Sequence, residues 1–207
     1  TAHAPGVRRN GTLCLAQTSQ RWEDLKRRHD QATVYGLETV LLSKVDVGLI
    51  WPLIDTEDLI GGLLIPSDGQ GDPTGITLAL SEAAKGYGAI ITENCLVTDI
   101  SHGSNERWCV RTTNGTIQAD FVVNCTGMWA RDLARNSSIS VPLHAVEHMY
   151  IVTESILGLD SKLPSVRDYD SSIYFKEDAG KLILGGNEPY AKLWPSGQIP
   201  SDFEFSL

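Results

Sequence analysis

The sequence predicts a mixed α/β fold, in which an open α/β layer carries a β-meander and a second layer is an antiparallel sheet. Three observations predict it. A helical pattern over residues 73–86 precedes a short apolar run at 89–91, and three short strands then surround an Asn114-Gly115 turn. Both features are typical of an open α/β layer with an insertion. The antiparallel sheet is predicted by strand-like segments separated by turns, at 144–153, 173–175 and 182–184.

The N-terminal part predicts alternating strands and helices. Residues 11–17 alternate like a short strand, and Thr18 or Ser19 offers an N-cap for the helix that follows. The apolar positions of this helix recur at helical spacing, at Trp22, Leu25, His29 and Ala32. The remaining elements of this part are a strand around 37–42, a short helix near 45–50 and an apolar strand at 59–66.

The helix in the middle of the chain has the clearest boundaries. Asp72 is a suitable N-cap, Pro73 stands at the first helical position and Gly86 suits the C-terminal cap. We expect a buried strand at 89–91 to follow. The meander then comprises strands at 96–100, 108–113 and 116–119, with Asn114-Gly115 as the two-residue hairpin turn.

A strand-to-helix turn is predicted after the meander. Residues 121–123 are continuously apolar, which predicts a strand covered on both faces, and residues 124–127 lead into a helix carrying Trp129. Gly127 has two interpretations that the spacing leaves open. It permits a tight turn and nothing more, or it lets the backbone approach a ligand where no β-carbon intervenes.

Charge and composition disfavour several classes of function. The chain has 17 Lys and Arg against 26 Asp and Glu, a net charge of −9, which argues against broad binding of nucleic acid. No apolar run approaches the roughly 20 residues of a membrane-spanning helix. Widely separated cysteines without metal-ligand spacing predict buried, reduced thiols and no metal site, at Cys14, Cys95, Cys109 and Cys125.

The ends of the chain and its glycines indicate a piece of a longer protein. The chain starts with Thr1, residues 1–10 contain no targeting pattern, and no closing element follows Phe205. No usable dinucleotide fingerprint is present, because the glycines at 69–75 are wrongly spaced and those at 86–88 lie after a helix. Either the protein binds no dinucleotide or the segment that does so is missing.

Four segments, in colinear order, resemble one family. They are LLIPSDGQGDPTG at 63–75, VNCTGMWA at 123–130, VPLHAVEHMYIVTE at 141–154 and VRDYDSSIYFK at 166–176, with Gly-Gly-Asn-Glu following at 185–188. Together they resemble the sarcosine and dimethylglycine dehydrogenases, flavoproteins of the D-amino-acid-oxidase superfold, and Glu-Asn-Cys at 93–95 is most similar to the sarcosine type. This implies that residues 67–138 belong to an FAD-binding domain without its first βαβ unit. Residues 1–66 and 139–207 would then be parts of the substrate domain.

The resemblance also implies the cofactors and their residues. In this family the glycine-rich FAD segment and the histidine that holds the flavin covalently lie N-terminal to where this chain begins, and a tetrahydrofolate-binding region lies C-terminal to where it ends. The implied cofactor-binding residues are Val97, Thr126, Gly127, Trp129 and Gly186.

The implied catalytic residues are Tyr150 and His148, which stand two residues apart on one predicted strand face. The implied substrate-binding residues are Tyr174 and Lys176. Lys176 departs from the family, which usually has arginine at this position. Lysine offers a point charge in place of a bidentate fork, so this residue is as consistent with a solvated strand end as with a carboxylate contact.

The implied activity is oxidative demethylation of an N-methyl amino acid, with sarcosine giving glycine and a one-carbon unit for tetrahydrofolate. The resemblance further implies the mitochondrial matrix and an electron-transfer flavoprotein as acceptor, and we expect the isolated chain to be inactive. Residues 13–17 and 144–150 also resemble the regulatory subunit of pyruvate dehydrogenase phosphatase, a protein of similar architecture that acts through protein interaction. Asp68-Gly69 and the segments 72–75 and 166–168 favour the dehydrogenase.

Overall fold

The computed structural model describes residues 6–103, 107–195, 199 and 203, which fall into two compact units. The first unit takes its residues from 1–88 and 148–190, and the second from 89–147 and 191–207. Strands and helices occur in both units, so the predicted mixed α/β class is confirmed.

The first unit is built on a seven-stranded sheet. In spatial order its strands are β2 (Val40–Ser43), β3 (Gly61–Ile65), β1 (Thr12–Ala16), β8 (Ser165–Asp168), β9 (Ile173–Asp178), β10 (Lys181–Gly186) and β7 (Tyr150–Val152). The β1 and β8 pair is parallel and the other neighbouring pairs are antiparallel. The helices of this unit are α1 (Ser19–Val34), α2 (Lys44–Ile50) and α3 (Pro73–Gly86).

The central strand β1 is buried on both faces. On one face Leu13 and Leu15 join a core cluster with Leu42, Val47, Trp51, Leu59 and Val166. On the other face Cys14 and Ala16 pack with Leu25 of α1 and with Leu63. Burying each of the large apolar side chains stabilises the fold by roughly 1.5–3 kcal/mol. The sheet is therefore anchored at β1 and β3, where helices cover it.

The helix N-caps predicted from the sequence are confirmed. The Thr18 hydroxyl accepts a hydrogen bond from Arg21 N at 3.2 Å. Asp72 accepts from Thr74 N at 3.1 Å and from Gly75 N at 2.9 Å. At the other end of α3 the prediction needs correction: Gly86 is the last helical residue, Tyr87 is the C-cap and Gly88 has the positive φ of 90°.

The second unit contains the predicted meander. Its strands β4 (Val97–His102), β5 (Trp108–Thr112) and β6 (Gly115–Ala119) pair in antiparallel order. Because Thr112 pairs with Gly115, the two loop residues are Thr113 and Asn114, one position earlier than predicted. A 3₁₀ turn (Gly127–Trp129) leads into α4 (Ala130–Arg135).

The two apolar runs predicted as buried strands are not strands. Residues 89–91 and 121–123 have no sheet partner among the described residues, and Ile90 is 91% and Phe121 88% exposed. An apolar run becomes a strand only when neighbouring backbone satisfies its N–H and C=O groups. The two runs have strand-forming residues, but no described segment pairs with them.

Two further expectations are corrected in the sheet and at the cysteines. The predicted strand at 144–153 is limited to Tyr150–Val152, because that is the part that pairs with β10, and strand β8 was not predicted. Burial is confirmed for Cys14, whereas Cys95 and Cys109 are half-buried and Cys125 is exposed. All four thiols are unpaired. No helix in the described part of the chain has the length and apolar character needed to cross a membrane.

Candidate functional site

Three of the cofactor residues implied by the resemblance line one groove in the second unit. Val97, Thr126 and Trp129 border a space of about 540 Å³. Its other walls are Cys95, Leu96, Thr98, Asp132, Leu133 and Asn136. A volume in this range is typical of sites for small molecules and cofactors.

The groove is formed where the end of α4 is joined to the free edge of β4. Strand β4 has β5 as its only sheet neighbour in the described part of the unit. The carbonyl of Ile100 accepts a hydrogen bond from Ser137 Oγ at 2.6 Å, and that of Thr98 accepts from Asn136 Nδ2 at 3.4 Å. These side chains satisfy edge groups that a further strand would otherwise pair with, and they hold the helix against the strand.

Asn124 holds the turn that places Thr126 and Trp129. Its Oδ1 accepts from Thr126 Oγ1 at 2.7 Å and from Thr126 N at 3.2 Å, and its Nδ2 donates to Ala130 O at 2.9 Å. An asparagine that bonds two residues ahead is a common turn former, so the sequence carried this signal although no role was assigned to it.

The backbone conformation at Gly127 favours glycine, and the space beside its Cα is open. Its φ is +58°, a region that side-chain-bearing residues seldom adopt. No heavy atom lies within 4 Å of the position a β-carbon would take. The tight turn is therefore present, and the space beside it is wide enough for a ligand to approach the backbone.

A second set of site residues lies on the sheet of the first unit. Arg167, Tyr174, Gly185 and Tyr150 pair in one row across β8, β9, β10 and β7. Directly paired residues share a face of the sheet, and Lys176 shares it because it follows Tyr174 by two. The catalytic candidate Tyr150 and the substrate-binding candidates are thus on one face.

A smaller cavity of about 200 Å³ opens beside this row. It is lined by Gly69, Gln70, Ser165, Val166, Arg167, Tyr174, Phe175 and Lys176. Both predicted substrate-binding residues line this cavity, together with Arg167 and Gln70, which were not predicted from the sequence. Alternation along residues 165–168 would have placed Arg167 on an open face had β8 been recognised.

His148 lies just before β7, so its predicted place on that strand is corrected. Its Nδ1 is 3.2 Å from Glu188 Oε2. The pKa of Glu188 is lowered by the hydrogen bond from its own backbone N–H and, next, by His148. Gly186, the remaining cofactor candidate, pairs with Ile173 at the end of β10. No metal-binding cluster of His, Cys, Asp or Glu occurs in the described ranges.

The family description FAD dependent oxidoreductase matches residues 1–205 of the chain. The chain belongs to the FAD dependent oxidoreductase family. The chain is 37% identical over 203 residues to mitochondrial sarcosine dehydrogenase of Mus musculus, a match that covers 96% of this chain and 22% of the relative. It is 28% identical over 211 residues to mitochondrial dimethylglycine dehydrogenase of Rattus norvegicus, covering 98% of this chain and 25% of the relative. The resemblance inferred from the motifs is therefore confirmed.

The mitochondrial pyruvate dehydrogenase phosphatase regulatory subunit of Mus musculus is also similar, at 33% identity over 190 residues, 90% of this chain and 22% of the relative. Among solved structures, L-proline dehydrogenase from P. horikoshii superposes with a TM-score of 0.80 at 26% identity, covering 90% of this chain and 50% of that chain. The chain thus spans a quarter or less of the length of these curated relatives.

The residues of the groove in the second unit fit a nucleotide cofactor. The indole Nε1 of Trp129 is buried and has no hydrogen-bond partner among the described residues. A buried N–H without an acceptor is destabilising, and a ribose or phosphate oxygen in the groove would satisfy it. The open backbone at Gly127 lies two residues before it.

Proposed function

We propose that this chain is part of an FAD-dependent amine dehydrogenase that oxidatively demethylates an N-methyl amino acid, with sarcosine as the favoured substrate. The observation that carries the proposal is the row on the sheet of the first unit. Tyr150 and Tyr174 share a face with Arg167 and Lys176, which line a cavity that has no acidic side chain. Such a site suits a small molecule with one carboxylate and one amine.

The cofactor groove of the second unit supports the same proposal. Val97, Thr126, Gly127 and Trp129 would hold the nucleotide part of FAD, with the Trp129 N–H donating to one of its oxygens. Gly186 is the cofactor candidate on the sheet of the first unit. Bound FAD would accept the hydride that leaves the N-methyl carbon.

The side chains of this protein would take up a proton from the substrate amine and orient the substrate. The amine must be unprotonated before its methyl group can be oxidised, and a nearby base assists by taking that proton. The pairing of His148 Nδ1 with Glu188 leaves Nε2 as the nitrogen to receive it. Tyr150, whose side chain is half-exposed, would hydrogen-bond the substrate amine. Water then adds to the iminium carbon, and glycine and formaldehyde separate.

We propose the cellular location of the protein and its electron and one-carbon acceptors from its relatives. Their names place them in mitochondria, so we propose the mitochondrial matrix for this protein as well. We also propose that the complete protein passes electrons to an electron-transfer flavoprotein and the one-carbon unit to tetrahydrofolate. The isolated chain would retain no FAD and would be inactive, because the resemblance assigns the main FAD-anchoring loop to other polypeptide.

A regulatory role without catalysis is the second candidate, supported by the similarity to the phosphatase regulatory subunit. Some motif residues that favour the dehydrogenase have structural roles. Asp72 caps α3, and Asp168 accepts hydrogen bonds from Asp170 N, Ser171 N and Gln17 Nε2. A structural role is therefore sufficient to explain Asp72 and Asp168, and these two residues do not by themselves favour the dehydrogenase.

Anaerobic addition of sarcosine to the complete flavoprotein tests the proposal. We expect the flavin absorbance to bleach, because the substrate reduces the cofactor. Dimethylglycine, added in parallel, reports which N-methyl substrate is preferred. An unchanged spectrum with every N-methyl amino acid tried would support the regulatory role and contradict the dehydrogenase.

A further inference from the structure

The cavity of about 200 Å³ beside Tyr174 is lined by cationic side chains and by no acidic ones. Two cationic side chains, Arg167 and Lys176, line it, and none of its lining residues is acidic. Neither cation has an ion pair in the described part of the chain, although Arg8 and Arg21 of the same unit are paired with carboxylates. Two unpaired cations so close to each other repel unless an anion lies near them.

Arg167 is directly opposite Tyr174 in the sheet, and Lys176 follows Tyr174 by two residues on the same strand. The two cations are therefore diagonal neighbours on the same face. Diagonal neighbours in an antiparallel pair lie about 7–8 Å apart, which lets two long side chains reach one small anion.

Gln70 supplies an independent indication of a ligand. The residue is 7% exposed, and its Nε2 is buried without a partner among the described residues. Its Oε1 accepts from Arg8 Nη2 at 3.2 Å, which fixes the orientation of the amide because a guanidinium only donates. Arg8 is itself held by the buried carboxylate of Glu177 at 3.2 Å. Gln70 lines the cavity, and its N–H₂ group is a buried donor of fixed orientation that has no acceptor among the described residues.

We propose that Arg167, with Lys176 and Gln70, binds the carboxylate of the substrate, and that Arg167 provides the bidentate contact. This rests on the proposed function for the identity of the substrate. The guanidinium fork matches a carboxylate geometrically, whereas the ammonium of Lys176 adds charge without that geometry. Arg167 on β8 would thus supply the bidentate contact, and Lys176 on the neighbouring strand β9 would add charge.

Equilibrium binding to the complete flavoprotein tests this inference. Three ligands separate the parts of the substrate: sarcosine, methoxyacetate (a carboxylate without the amine) and dimethylamine (an amine without the carboxylate). The variants are Arg167→Gln and Arg167→Lys. Arg9→Gln is the matched control, because Arg9 lines a different cavity and has no ion pair in the described ranges.

We expect Arg167→Gln to raise the Kd of methoxyacetate and of sarcosine roughly ten- to hundredfold, the loss of a hydrogen-bonded charge. Arg167→Lys should raise it less, and dimethylamine binding should not change with either variant. Arg9→Gln should leave all three dissociation constants unchanged. If Arg167→Gln does not fold, Arg167→Lys carries the test.

Unchanged carboxylate binding in a folded Arg167 variant overturns the inference. So does a variant whose flavin content or flavin spectrum changes while its Kd for methoxyacetate stays the same, since the cation would then serve the cofactor. The inference and the proposed function fail separately. A protein that binds methoxyacetate through Arg167 but does not oxidise sarcosine keeps the anion site and loses the dehydrogenase activity.

Discussion

The ring of Tyr174 lies against the Cα of Gly185, in the space that a β-carbon on that glycine would fill. The two residues are paired across β9 and β10, and Tyr150 is the partner of Gly185 on its other side. The glycine thus lets the Tyr174 side chain lean across one strand toward Tyr150. Its φ is not positive, so the requirement for glycine here is steric.

Gly185→Ala should displace the Tyr174 ring. The added methyl group overlaps with the ring, and overpacking of this kind lowers the free energy of unfolding by about 1–3 kcal/mol. Urea unfolding of the chain measures the loss, and the KM for sarcosine in the complete flavoprotein should rise because Tyr174 is moved. Gly86→Ala is the control, because no atom lies within 4 Å of the β-carbon there. Equal stability of the two variants would contradict the steric role.

Tyr150→Phe should lower turnover by more than it lowers stability. The tyrosine is 48% exposed, and no hydrogen bond of its hydroxyl is found within the described ranges, so removal of that group costs little folding free energy. If it assists the amine, kcat should fall roughly a hundredfold or more, the usual effect of an acid-base group. Tyr190→Phe, at a residue 96% exposed, is the control. An unaltered kcat would make Tyr150 a packing residue.

Trp129→Phe should weaken retention of FAD. The phenyl ring lacks the indole N–H that would donate to FAD. We therefore expect cofactor affinity to fall roughly fivefold to tenfold, which corresponds to the loss of about one hydrogen bond. Trp108→Phe, at another half-buried tryptophan of the same unit, removes similar apolar surface away from the groove. Fluorescence titration of FAD into the two apoproteins compares them. A similar loss of FAD in both would remove Trp129 from the cofactor site.

Asp170→Asn should reduce stability at neutral pH and flatten its acid dependence. Partial burial alone would raise the pKa of Asp170, but hydrogen bonds from Gln17 N and Thr18 N and the nearby Arg21 guanidinium together lower it. Since the folded-state pKa lies below the unfolded one, this contribution is present above the unfolded pKa and disappears as the pH falls through the folded pKa.

The expected loss for Asp170→Asn is about 1–3 kcal/mol at pH 7, measured by urea unfolding between pH 2 and pH 7. Asp30→Asn serves as the control, because no hydrogen bond or ion pair is found for Asp30 in the described part of the chain. If wild type and Asp170→Asn lose stability in parallel on acidification, the hydrogen bonds that the Asp170 carboxylate accepts from Gln17 N and Thr18 N do not stabilise the fold.

The predictions that succeeded from the sequence were those whose contacts are local. The caps at Thr18 and Asp72 involve a partner two or three residues away, and the meander pairs neighbouring segments. Two local predictions, the C-cap at Gly86 and the hairpin turn at 114–115, were each displaced by one residue. The predictions of whole strands that failed needed a distant partner. The runs at 89–91 and 121–123 have strand-like residues but no described strand beside them, and β8 pairs with β1, which is far earlier in the chain.

The family, the capped helices, the meander and the turn around Gly127 could all be predicted from the amino-acid sequence. Each depends on residues that lie close together in the chain or on an ordered set of motifs. Only the tertiary structure placed Arg167 beside Tyr174 and Lys176, gave Gln70 an unmatched donor at the same cavity, and set Gly185 beneath an aromatic ring. The physical reason is that strand register and side-chain burial depend on segments that meet only after the chain has folded, and no local preference specifies that meeting.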